Sequence, residues 1–189
     1  MTRVAPASPV RAVVPYLAAA TLARVADEMV GVAVVLLVLD RTGSIVLAGA
    51  MVTAYTLPSL VSGPLLGAWL DRTRCRRAAL AGNEIVLAAV AGALVGLTGR
   101  APAPVLLALA ALAGTTLPLT SGGFSSLLPS LVPPATLGRV TALDAAAFNA
   151  ASIAGPALAG TIAASVGSGA AVTTLGAVAA LAAGCVPGM

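Results

Sequence analysis

The chain has 189 residues, of which 59% are apolar and 8% charged, and its mean hydropathy is +1.06. That leaves too little polar side chain to cover a soluble globule and excludes one, placing the chain in lipid. The net charge of +4 comes with 3% aromatics and with basic residues that flank apolar runs, so it marks membrane topology and not nucleic-acid binding.

In chain order, residues 1–12 read as a short polar lead containing Arg3, Pro6, Ser8, Pro9 and Arg11. The first apolar run, about 13–39, is too long for the apolar core of a secretory signal. It carries Arg24, Asp27 and Glu28 near its middle and leaves through Asp40-Arg41-Thr42-Gly43-Ser44. The second span covers about 45–70 and is interrupted by Pro58 and by Gly63-Pro64, which neighbouring helices can absorb as a kink.

Between the second and third spans stands Gly67-Ala68-Trp69-Leu70-Asp71-Arg72-Thr73-Arg74-Cys75-Arg76-Arg77, the densest basic stretch of the chain. On its residues alone it is a positive-inside topogenic loop, or such a loop with a further role. The third span, about 78–98, holds Asn83 and Glu84 in its first turns. The fourth is expected as one helix over 104–128, passing Gly114, Pro118 and Gly122-Gly123. Residues 129–139 read as a proline-punctuated connection. The fifth span, about 140–166, has Asp144 in its first turns, Asn149 inside it and Gly155-Pro156 before Gly160. The sixth takes about 169–186.

Each span is long enough for a hydrocarbon core of about 30 Å. The fold class is therefore all-α and polytopic, a six-helix transmembrane bundle over residues 13–189. Arg3, Arg11, Arg72, Arg74, Arg76, Arg77 and Arg139 fall on one side, and only Arg41 and Arg100 occupy loops on the other. The positive-inside rule then puts both termini in the cytoplasm of a cell membrane. Gly63-Pro64 late in the second span and Gly155-Pro156 late in the fifth suggest two inverted three-helix units, unless chance produced the echo.

Arg24, Asp27 and Glu28 are the costliest residues in the sequence, at about 2.5–3.5 kcal/mol per charge at a helix centre. Their spacing sets both acids beside Arg24 on one helix face, where they partly neutralise it. They are expected to line a central cavity, with Asp27 or Glu28 exchanging a proton and Arg24 tuning its pKa or meeting an anionic substrate group, or else to form a paired structural cluster or one that snorkels to water. Glu84 is expected in an ion pair with the Arg74–Arg77 cluster in preference to a proton site. Asn149 is expected to hydrogen-bond across helices or to line the cavity. Histidine is absent, and Cys75 and Cys185 suggest neither a disulfide framework nor a metal site. The expectation is no cofactor, no metal and no enzymatic activity.

Gly67, Asp71, Arg72, Arg76 and Arg77 resemble the loop between helices two and three of the major facilitator superfamily, Gly-x-x-x-Asp-Arg/Lys-x-Gly-Arg-Arg/Lys. Arg74 replaces the glycine of that pattern, and Cys75 an arginine. Gly155, Pro156 and Gly160 are similar to the antiporter motif Gly-x-x-x-Gly-Pro-x-x-Gly-Gly of helix five, with Ala151 and Ala159 replacing two of its glycines. Leu128-Pro129-Ser130-Leu131-Val132-Pro133-Pro134 and Arg139-Val140-Thr141-Ala142-Leu143 look like the connection from helix four to five of the drug-efflux and siderophore-export branch.

The resemblance covers one half of the usual twelve helices. It implies secondary transport of a small molecule by alternating access, export coupled to protons, with Glu84, Arg139 and Asp144 joining the Asp71 loop in a cytoplasmic gate. The implied partners are the bilayer, a small-molecule substrate, the proton, and a missing C-terminal half or a second six-helix chain. The alternative is a truncated or degenerate half without transport, at most a membrane interaction module.

Overall fold

The structure, a computed structural model, describes residues 9–189, with side chains from residue 13 onward. The greater part of the expected lead and the side chains of Arg3 and Arg11 lie outside the described residues.

Every regular element among the described residues is helical. α1 is Pro9–Thr42, α2 Ile45–Arg72, α3 Arg76–Leu97, α4 Ala103–Pro118, α5 the single turn Leu128–Leu131, α6 Pro134–Ser165 and α7 Ser168–Cys185. Five elements are long and apolar enough to cross a membrane: α2, α3, α4 with its continuation to Gly123, α6, and α7 with its continuation to Gly188. α1 is the longest helix, and its apolar length is broken by Arg24, Asp27 and Glu28. The outer surface is apolar, with Ile45, Val46, Leu60, Val61, Ile153 and Val166 each more than two-thirds exposed. Such a surface is stable only against lipid.

α1 lies centrally and packs on α6, α7 and α2, while α2 packs on α4, and α3 on α7 and α4. The α1–α6 and α2–α4 pairs are equivalent contacts if the first three spans are exchanged for the last three. Each has one point of backbone contact. A Cβ on Gly155 of α6 would stand 2.6 Å from Glu28 Cβ on α1, and a Cβ on Gly114 of α4 would stand 1.9 Å from the Tyr55 carbonyl oxygen on α2. Small residues allow this approach where apolar burial between helices contributes no driving force. Gly63 makes no such backbone contact, since a Cβ there would meet only the Pro118 side chain, at 3.7 Å.

Two expected boundaries are corrected. α4 does not run unbroken to residue 128: it stops at Pro118 and passes through a π-helical turn, Leu119–Gly123, and a 3-10 turn, Ser125–Leu127, before α5. Pro118 supplies no backbone N–H, and Gly122-Gly123 holds helical geometry weakly, so the wider turn replaces the regular ladder. The prolines of the next connection start a helix instead of extending a loop. Pro133 caps α6 and Pro134 occupies its first turn, where a missing N–H costs nothing. Asp144 therefore lies about 15 Å along α6 from Pro134, at 1.5 Å per residue, and not at its mouth.

The apolar core is divided in two. One cluster contains Tyr16, Ala19, Ala20, Ala23, Leu80 and Val140, and the other Ala26, Met29, Tyr55, Leu87, Ala113 and Ala159. The division falls between Ala23 and Ala26 on α1, between Leu80 and Leu87 on α3, and between Val140 and Ala159 on α6. The buried polar side chains Arg24, Asn83, Glu84 and Asp144 occupy that interval.

Candidate functional site

This polar seam contains three hydrogen-bonded groups. In the first, Arg24 of α1 is 1% exposed and meets Asp144 of α6, Nη1 to Oδ1 at 2.7 Å and Nη2 to Oδ2 at 3.1 Å. Nη1 also donates to the Asp144 carbonyl at 3.2 Å and Nη2 to Ser125 Oγ at 3.0 Å. Asp144 accepts two further bonds, from Tyr16 Oη at 2.9 Å and Ser125 Oγ at 2.8 Å. Phe148, one turn along α6 from Asp144, holds its ring 5.2 Å from the guanidinium carbon. A buried pair survives in lipid only with such a full set of donors. It is the single ion pair among the described residues.

In the second group, Asp27 of α1 accepts a hydrogen bond from the Tyr55 hydroxyl of α2. In the third, Asn83 and Glu84 of α3 meet the π-turn. Asn83 Nδ2 donates to Glu84 Oε1 at 2.8 Å and to Thr120 Oγ1 at 2.7 Å, and Thr120 Oγ1 donates to Glu84 Oε1 at 3.1 Å. The broken end of α4 thus supplies Thr120 to one cluster and Ser125 to another.

Several expected pairings are corrected. Arg24 is neutralised across helices by Asp144 and not by Asp27 or Glu28, because the bidentate geometry is available only from α6. Glu84 is 0% exposed and is held by Asn83 and Thr120, not by the Arg74–Arg77 cluster. Neither Glu84 nor Asp144 joins the Asp71 loop. Arg139 is exposed near the start of α6 and lines a cleft with Val13, Val14 and Val132. Glu28 is half-buried where Gly155 presses on α1. The Asn149 side chain makes no hydrogen bond across helices among the described residues. It is exposed in a cleft of about 350 Å³ with Ser121, Ser125, Thr141 and Phe148, floored by Arg24 and Asp144.

The basic loop is short, with Thr73 N bonded to the Trp69 carbonyl at 2.9 Å. Arg76 reaches back over the end of α2, donating from Nε to the Leu70 carbonyl at 2.9 Å and from Nη2 to the Asp71 carbonyl at 3.1 Å. It satisfies carbonyls that the helix end leaves open and places positive charge at the negative pole of the helix. Gly67 and Asp71 border a second cleft against the π-turn residues Ser121, Gly122 and Gly123. Of the helix-five motif, Gly155 makes the backbone contact with α1, while a Cβ on Gly160 would meet nothing within 4 Å.

Sequence reasoning missed Tyr16, Tyr55, Thr120, Ser125 and Phe148. One signal was available: the chain has only two tyrosines, and both donate to carboxylates. Serine and threonine gave none, because most of them return hydrogen bonds to their own helix, as Thr56 and Ser165 do.

A six-helix bundle with an apolar exterior and a buried polar seam defines a polytopic membrane protein. The sequence pattern of the Major Facilitator Superfamily matches residues 16–187, and the chain belongs to that superfamily, whose members are transporters and not enzymes. It is 37% identical over 172 residues to an uncharacterized MFS-type transporter of Sinorhizobium fredii (strain NBRC 101917 / NGR234). That match takes in 89% of this chain and 42% of the relative, so the chain spans less than half of the relative's length and corresponds to an N-terminal half.

Proposed function

We propose that this chain is the N-terminal half of a secondary transporter that exports a small, amphipathic molecule in exchange for protons. Asp27 carries the proposal. Its carboxyl lies in the seam on the central helix, and its side-chain partner is a phenol, Tyr55, with no cation paired to it among the described residues. It can gain or lose a proton without breaking an ion pair, whereas Asp144 cannot. The cleft over Arg24 and Asp144, walled by Ser121, Thr141 and Asn149, is this half's share of the substrate path. The Asp71–Arg77 loop is the cytoplasmic gate, held compact by Arg76. A second six-helix unit closes the path and rocks against this one.

The test uses everted membrane vesicles containing the protein, energised to an acid interior, with ethidium as the amphipathic probe. The expected result is ethidium accumulation that a protonophore abolishes and that Asp27→Asn removes. Accumulation indifferent to the protonophore, or unchanged in Asp27→Asn, overturns the coupling. A strictly monomeric bundle that binds no probe in detergent overturns transport and leaves a non-transporting half.

A further inference from the structure

We infer that Glu84 forms a second proton-binding site, separate from Asp27, in a pocket made by Asn83 and the broken end of α4. Its two carboxyl oxygens are served unequally. Oε1 accepts from Asn83 at 2.8 Å and from Thr120 at 3.1 Å, while Oε2, fully buried, has no partner among the described residues. An ionised carboxylate shares its charge over both oxygens, and leaving one of them bare in an apolar interior costs several kcal/mol. A carboxylic acid fits the pocket: Oε1 is the carbonyl oxygen that takes two donors, and Oε2 carries the hydrogen.

The surrounding charges agree with a neutral acid. α1 carries Arg24, which is committed to Asp144, and the acids Asp27 and Glu28. α2 contributes Tyr55, itself engaged by Asp27. The turn at the end of α4 brings only hydroxyls, and α7 brings no ionisable side chain before Cys185. No cation among the described residues faces Glu84, and the charge closest in kind is another carboxylate.

One residue of the pocket's wall separates it from a cleft. Thr120 sits on the inner side of the π-turn, and Ser121, Gly122 and Gly123 of the same turn border the cleft against Gly67 and Asp71, about 300 Å³ in volume. The O–H bond at Oε2 forms with a proton delivered by hydronium, which leaves water behind, and breaks when that proton returns to a water molecule. The same broken end of α4 continues to Ser125 on the Arg24–Asp144 pair. The site adds to the transport proposal through Asp27 without depending on it, because its test reads proton occupancy and not transport.

The experiment is infrared spectroscopy of the protein in lipid nanodiscs, titrated through neutral pH. The expected result is a protonated-carboxyl C=O band at pH 7 that is lost in Glu84→Gln and retained in Asp27→Asn. Thr120→Val should move that band to higher frequency, because the carbonyl oxygen loses one donor. Absence of the band at pH 7, or its persistence in Glu84→Gln, overturns the inference. Should Glu84→Gln fail to fold, the Thr120→Val shift decides: an unmoved band assigns the proton elsewhere and overturns it equally.

Discussion

Arg24 and Asp144 show how two expensive residues become affordable in lipid. Together with Tyr16 and Ser125 they form a set in which each carboxylate oxygen of Asp144 has donors from two directions. Removing one partner leaves a buried, unpaired charge, so Asp144→Ala should destabilise the bundle by about 3–5 kcal/mol. Replacing both with apolar residues, Arg24→Met with Asp144→Leu, should recover most of that loss. Unfolding in mixed micelles followed by circular dichroism gives both values, and a double variant as unstable as the single one contradicts this account. The loss of Ser125 Oγ by Ser125→Ala should cost less, about 1.5–3 kcal/mol, since it bonds charged groups without carrying charge.

At the scale of the helices, close packing is set by Gly114 and Gly155 and not by every glycine of a motif. An added methyl at Gly114 would overlap the Tyr55 backbone, and at Gly155 that of Glu28, while at Gly160 it would meet open space. The expected order of destabilisation is Gly114→Ala above Gly155→Ala, each about 1–3 kcal/mol or more from overpacking. Gly160→Ala should stay within about 0.5 kcal/mol. The same unfolding assay ranks them, and equal losses at all three positions would show that motif glycines act through the helix backbone alone. The fifth-span motif was legible in the sequence. Its division of labour was not, because a glycine's use depends on which neighbouring backbone it faces. The π-turn was equally hidden: Pro118 and Gly122-Gly123 were read as part of one helix, and only packing against α3 presents Thr120 to Glu84.

For the whole molecule, the basic loop and the described C-terminal end lie at the same end of an even-numbered bundle. The proposed orientation puts Cys75, exposed in that loop, in the cytoplasm. In a Cys185→Ala background, a membrane-impermeant maleimide should label Cys75 in everted vesicles and not in intact cells. Labelling of intact cells would reverse the orientation and with it the assignment of the loop as a cytoplasmic gate.

The sequence by itself determined membrane residence, the all-α class and the family. These follow from local quantities: apolar run length, residue spacing and the cost of a charge in hydrocarbon. Only the tertiary structure decided which charge meets which. Asp27 and Glu28 are neighbours of Arg24 in sequence, yet the partner is Asp144, 120 positions away. Glu84 lies near the arginines of its own helix start, yet it is sealed in by Thr120. In lipid an unpaired polar group has no water to fall back on, so the partner is chosen by donor geometry across helices, which one-dimensional spacing does not encode.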